Sequence, residues 1–429
     1  MDADERPAAE APPGDAHQHA SEPAPGPAPG RPEPLTDEWC AHHFNYLDPA
    51  FAGAIHPTLT RMRERWPVTR SDQRGGFWVL TRYEDVLAAA QDWETFSSEL
   101  GVAIPDTQMV SKAIPEHIDP PLHREYKRLI SAWFTPAVVA PYEAPTRALV
   151  TRLIDGFADA GECDFMAELA SPFPALAFFE LVLGAPPDEA HEVAGLAQRA
   201  SVPTNPDSRE CWVALNAWIT GFVADRRAAP PRGDVVDAIL AASIEGRPVR
   251  EDEVMGLILL LILGGLETTA GALGQFMLRF CREPEIPALL RDHPELVNPA
   301  VEELLRLEDP FLAIGRTLRH DIEVGDCLMK AGEKVLLSWA SANRDADEFS
   351  DPDAFRLDRE RNRHIAFGAG PHRCAGSNLA RLNLRVAVAE LTSRMTDFRL
   401  LQPEAELAFH TAFNRSPLAL PIGFAATEG

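Results

Sequence analysis

Ten residues near the C-terminal end of the chain, Phe367-Gly368-Ala369-Gly370-Pro371-His372-Arg373-Cys374-Ala375-Gly376, set glycines around one cysteine. Gly368 and Gly370 permit positive φ and a tight turn, so backbone there can come close to something large and flat. Just downstream, from Leu379 to Leu391, Ala, Leu and Val recur at helical spacing. Cys374 therefore stands at a helix N-terminus, where unpaired N–H groups and the positive end of the macrodipole favour thiolate over thiol. A thiolate held by a glycine turn is suited to haem iron, onto which it pushes electron density. The competing reading is a buried structural cysteine ahead of a helix.

A second stretch breaks the rules of the helix that contains it. Residues Glu251 to Phe280 predict one long, mostly buried helix, because apolar residues occupy nearly every face from Val254 to Leu266. In its middle, Gly264-Gly265 costs roughly 1 kcal/mol per glycine relative to alanine, which points to local opening or to close approach of a bulky group. Thr268 lies four residues after Gly264, so its hydroxyl can bond the Gly264 carbonyl and bend the helix. Glu267 precedes it. A hydroxyl beside an acid is a pair that can hold water and pass protons. A back-bonded threonine and a surface acid at an ordinary kink are the alternative.

Three further stretches supply charge and frame. In Asp119-Pro120-Pro121-Leu122-His123-Arg124-Glu125-Tyr126-Lys127-Arg128, a helix is predicted over Leu122 to Phe134, and His123 and Lys127 share one face of it. A solvated basic face would look the same. Glu303 and Arg306 are three apart on a helix, spaced for a bidentate carboxylate–guanidinium bond that holds buried segments in register. From Asp309 to Arg316 the chain leaves helical pattern at Pro310 and becomes extended.

With these five stretches in this order, the chain from roughly Leu35 onward resembles the cytochrome P-450 family. The resemblance implies a fold that is mainly α with a small β-sheet portion, carrying one haem b per chain. It makes Cys374 the proximal iron ligand, packs Phe367 under the porphyrin, counts Gly376 among the cofactor-binding residues, and brings His372, His123, Lys127 and Arg316 to the haem propionates. Arg128 is the alternative to Lys127, where bacterial members more often carry arginine. Gly264-Gly265-Leu266-Glu267-Thr268-Thr269 looks like the oxygen-activation motif, closest to the camphor-hydroxylase branch. Glu303 and Arg306 match the E-x-x-R pair, with Phe355-Arg356-Leu357-Asp358-Arg359 where a further arginine often joins it. The loop from Trp93 to Pro121 would line a substrate pocket together with Val102, Gly264, Phe311, Leu312, Ala313, Ile314, Ala412 and Phe413.

The same resemblance implies a monooxygenase that inserts one atom of O2 into a hydrophobic organic molecule. Its electrons must come from outside, since the chain has no flavin or dinucleotide fingerprint and no iron–sulfur cysteine cluster. A ferredoxin with its NAD(P)H-dependent reductase is the implied partner, with Arg373, Arg381, Arg385 and Arg124 to Arg128 as a docking patch on an acidic protein. A peroxide-driven haem-thiolate enzyme and a non-catalytic haem sensor are the alternatives.

Composition frames these readings. The 429 residues carry a net charge of −25, which argues against nucleic acid and favours solubility. Six scattered cysteines without a C-x-x-C pair suggest neither a disulfide framework nor a zinc ribbon, and a reduced cytoplasmic protein, expected as a monomer, is the simple inference. The only long apolar run, Val254 to Leu266, is too short to span a bilayer. Residues 1–34 hold nine prolines and read as a disordered tail, leaving 35–429 as the domain. Elsewhere the pattern predicts strands over Phe77–Thr81, Val335–Trp339 and Thr411–Pro421, and helices over Tyr83–Gln91, Glu189–Ala200 and Glu210–Arg227. Trp212, Trp218 and Phe222 read as packing residues.

Overall fold

The computed structural model describes residues 35–410 and 413–427. The tail expected over 1–34 lies outside them, as do Thr411 and Ala412. The molecule is built on the helix Glu251–Arg282, whose 32 residues run past both ends of the apolar stretch. Glu251, Asp252 and Glu253 sit in its first turn, against the positive end of the helix dipole. Glu253 accepts from the Arg250 backbone at 2.8 Å and from the Tyr126 hydroxyl at 2.7 Å, which fixes where the helix starts. This helix is long and apolar enough to cross a bilayer, yet 61% of its most apolar window is buried inside the fold. It is apolar all round because other elements surround it: Pro172–Phe178, Ala190–Ser201, Ser208–Ala228, Val297–Glu308 and Ser377–Arg394 all pack on it.

Two sheets flank this helical body. In the larger, strands Val68–Ser71, Phe77–Leu80, Lys334–Ser338, Ala313–Leu318 and Phe96–Ser97 lie side by side in that order. All pairs are antiparallel except Phe77–Leu80 with Lys334–Ser338. Trp339, expected in the strand, instead opens a short helix, because the Ser338 hydroxyl accepts from the Ser341 N–H at 3.3 Å and caps it. The smaller sheet orders Met395–Leu400, Pro421–Ala426 and Glu162–Asp164.

The strand expected over Thr411–Pro421 is displaced. It forms over Pro421–Ala426, and the residues before it pair only as isolated bridges, Phe311 with Asn414 and Phe409 with Pro417, beside scattered backbone bonds such as Leu312 N–H to Phe413 O. Pro417 has no N–H to donate, so a regular ladder cannot run through it. That irregular segment ends up against the long helix.

Candidate functional site

A cavity of about 630 Å³ lies between the long helix and the Phe367–Gly376 loop. The loop forms one wall. Gly368 and Gly370 have φ of 70° and 66°, and a Cβ on Gly370 would stand 2.1 Å from the Ala90 carbonyl oxygen, so only glycine fits against the helix Tyr83–Gln91. The turn closes through Cys374 N–H to Phe367 O at 2.8 Å, and the next helix begins at Ser377 with Gly376 as its N-cap. Cys374 opens onto the cavity, not onto bulk water. Burial pushes its thiol up, against the pull of the Lys127 ammonium and the Gly376 N–H. Burial and the helix end thus pull the thiol in opposite directions. A bound metal cation would decide for the thiolate, since a coordinating thiol is deprotonated outright.

Phe367 is fixed from behind. The Arg381 guanidinium lies 4.3 Å from its ring centre and is itself clamped by Glu302 at 2.7 and 2.8 Å. The sequence offered Arg381 only as a surface charge; its position seven residues after Cys374, one helix face on, was the available signal.

At one end of the cavity stand His123, His372, Lys127 and Arg316. Both ring nitrogens of His123 are buried without a partner, and its ring is 4.3 Å from that of His372. Burial pushes His123 down to about 4 and His372 to about 2, with neighbouring cations adding to the effect. Arg316 is 3% exposed, and its side chain donates to the carbonyl of Gly315 at 2.7 Å. Asp119, the nearby carboxylate, is taken by Ser97, Ser98 and Arg319. His372 Nε2 meets the Ser98 hydroxyl at 3.2 Å and lies 4.0 Å from Asp119, so the buried Arg316 guanidinium and the unpartnered His123 ring are the groups left to receive an anion. Lys127 lines the cavity and donates to the Arg373 carbonyl, tying its helix to the cysteine loop, whereas Arg128 is exposed and away from it.

Across the cavity, the two glycines of the long helix do different things. A Cβ on Gly264 would meet nothing within 4 Å, whereas one on Gly265 would stand 2.6 Å from the Phe178 ring. Gly264 keeps the cavity open, and Gly265 admits Phe178. Thr268 Oγ1 donates to Gly264 O at 3.2 Å. Glu267 departs from expectation: its carboxyl accepts from Asn414 Nδ2 at 2.9 Å inside the protein, and burial raises it to about 7.

Val102, Gly264, Phe311, Ile314 and Phe413 line the cavity. Leu312 and Ala313 do not; they are 5% and 3% exposed, in a core with Phe44, Leu336 and Ala340. In an extended strand alternate side chains face opposite ways, so Ile314 and Arg316 reach the cavity and Ala313 turns from it. Trp212 reaches the cavity as well, while Trp218 and Phe222 stack on each other at 5.2 Å.

The frame beneath is closed. Arg306 and Glu303, 0% and 1% exposed, pair at 2.7 and 2.9 Å. Arg306 also donates to the carbonyls of Asn343 and Pro352. Arg359 Nε reaches Glu303 Oε1 at 2.9 Å and completes the set.

The Cytochrome P450 family profile matches residues 290–406. Nocardicin C N-oxygenase of Nocardia uniformis subsp. tsuyamanensis is 35% identical over 386 residues, covering 86% of this chain and 95% of that protein. Steroid C26-monooxygenase of Mycobacterium tuberculosis (strain ATCC 25618 / H37Rv) is 32% identical over 372 residues, covering 85% and 92%. Among solved structures, cytochrome P450 CYP109Q5 from Chondromyces apiculatus superposes with a TM-score of 0.80 at 29% identity, covering 91% of this chain and all of that one.

Proposed function

The chain belongs to the cytochrome P450 family of haem-thiolate monooxygenases, and from that premise we propose that it oxidises a hydrophobic small molecule with O2 and electrons from a ferredoxin. The observation that carries the reading is one cavity with Cys374, a buried Arg316, His372 and an unpartnered His123 on one side and Thr268 on the other. These residues fit haem b: a thiolate for the iron, Phe367 for the ring, and His123, His372, Arg316 and Lys127 for the two propionates. When bound, the haem supplies the activation of dioxygen, with the cysteine thiolate as its electron-donating ligand.

The chain's own residues do the rest. Gly264 leaves room at the helix surface, and the Thr268 hydroxyl, released from the Gly264 carbonyl, is placed to hold water and pass a proton into the cavity. Glu267 carries that proton next to it, at a pKa matched to neutral pH. Val102, Phe311, Ile314 and Phe413 orient the substrate and exclude water. Exposed Arg124, Arg128 and Arg373 lie on the cysteine side and suit an acidic ferredoxin, whereas Arg381 is spent on Glu302. All six cysteines are free, which fits a cytoplasmic protein, and we take it to act as a monomer.

The test is the spectrum of the reduced protein under carbon monoxide. A thiolate-type Soret band, lost in Cys374→Ser, is expected; a histidine-type band sinks the reading. Substrate-dependent NADH consumption with a ferredoxin system then separates this enzyme from a peroxide-driven one, which would turn over with hydrogen peroxide alone.

A further inference from the structure

Asn414 Nδ2 donates to Glu267 Oε2 at 2.9 Å, and the other carboxyl oxygen, Glu267 Oε1, and the amide oxygen, Asn414 Oδ1, are each buried without a partner. Carboxylate and amide oxygens are both acceptors, so an ionised Glu267 leaves two buried acceptors unsatisfied, each costing about 1–3 kcal/mol. A single proton removes both. We propose that Glu267 and Asn414 form a cyclic acid–amide pair, Oε1–H donating to Asn414 Oδ1 while Asn414 Nδ2–H donates to Oε2. Asn414 is thus the positioning residue that keeps a proton in the cavity wall.

The segment carrying Asn414 is pinned in place. Leu312 N–H donates to Phe413 O at 2.8 Å, Arg415 N–H donates to Pro310 O at 3.0 Å, and Asn414 pairs with Phe311. Among the described residues no charged side chain shifts Glu267. On the long helix its neighbours are Leu266, Thr268 and Thr269. On the facing segment the charged residue is Arg415, which turns away to His56 at 3.2 Å and to the Phe409 ring at 5.3 Å. Burial is accordingly the dominant influence on Glu267, opposed only by its bond from Asn414. During turnover the proton leaves Oε1 for water at the Thr268 hydroxyl. Asn414 Nδ2 stays on Oε2 and holds the carboxylate until water returns a proton.

The consequence for turnover rests on Glu267 as proton donor; the pairing itself does not. Difference infrared spectroscopy of the haem-loaded protein at neutral pH, wild type against Glu267→Gln, reads the C=O stretch of a protonated carboxyl. The band is expected in the wild type, and at higher wavenumber in Asn414→Leu, whose side chain fills the space without the two bonds. Its absence at neutral pH, or its failure to move in Asn414→Leu, overturns the pair. A titration of the wild-type band needs no Asn414 variant: loss through about pH 7 supports the pair, and loss in the ordinary carboxylate range overturns it. If the band behaves as expected but Glu267→Gln keeps its product yield per NADH, the pair stands and the proton-delivery role falls. If Glu267→Gln uncouples and the band is missing, the reverse holds.

Discussion

The two walls of the cavity are built on opposite principles. On the cysteine side the loop and its frame are closed into a network, with His123 alone of the groups named left open toward the cavity: Cys374 to Phe367, Lys127 to Arg373, Arg381 to Glu302, and beneath them Arg306, Glu303 and Arg359. On the long-helix side there are two glycines, a threonine bonded back to its own helix, and an acid–amide pair with two acceptors left over. A ligand that must hold a metal at fixed geometry needs a rigid surround. Groups that must move a proton need room to change partners. The difference teaches which wall tolerates no loss and which is designed to be incomplete.

The largest test of that contrast is on the closed wall. Arg306→Ala takes from Glu303 its fully buried partner and leaves Arg359 as its one remaining cation, and removing one partner of a buried pair costs up to about 3–5 kcal/mol. The expected outcome, read by denaturant unfolding and haem content, is protein that folds poorly and retains little haem. A variant as stable as wild type would show that the network is not closed in the sense argued.

On the open wall, the next effect is one of pH. Glu267 is raised to about 7 in the folded protein against about 4.3 for a free glutamate. Below the lower value it is protonated in both states and costs nothing. Between the two, the unfolded chain ionises and the folded one does not, so stability falls as pH rises through this window and is flat above about 7. The total is on the order of 3 kcal/mol, and Glu267→Gln is expected to abolish that slope in denaturation curves taken from pH 4 to pH 8. Product yield per NADH should likewise be full below about 7 in the wild type and fall above it. A smaller change is expected for Thr268→Ala, whose hydroxyl lines the cavity and bonds back to its own helix: unchanged stability, with electron flow diverted several-fold into peroxide.

How much of this was legible beforehand follows the same division. The cysteine loop, the Glu303–Arg306 pair and the His123–Lys127 face could be read because closed local geometry leaves fixed spacings in sequence. Leu312 and Ala313 were misplaced because an extended run does not say which of its two faces meets the cavity; that is fixed by pairing with Lys334–Ser338. Asn414, 147 positions from Glu267, leaves no local signal. It sits in a segment where Pro417 interrupts the ladder, so even the strand boundary moved to Pro421. Arg381 was visible only as a charge, and its contacts with Glu302 and Phe367 show that it is structural; the segment Phe355–Arg359 was marked for a further arginine, and its bond to Glu303 singles out Arg359.

The smallest effects separate the two glycines, which sequence reasoning could only treat as a pair. Gly265→Ala drives a Cβ to within 2.6 Å of the Phe178 ring, and overpacking of this kind typically costs about 1–3 kcal/mol. Gly264→Ala meets open space, and exchanging glycine for alanine within a helix gains up to about 1 kcal/mol. The first should therefore lower the melting temperature and the second raise it slightly. Function should run the other way for Gly264. Its new methyl occupies the cavity beside Thr268, so the more stable variant is expected to bind bulky ligands more weakly, read as a smaller substrate-induced spectral change. Equal behaviour of the two variants would mean that the helix surface at Gly264 is not the open wall of the cavity, and the contrast between the two walls would have to be redrawn there first.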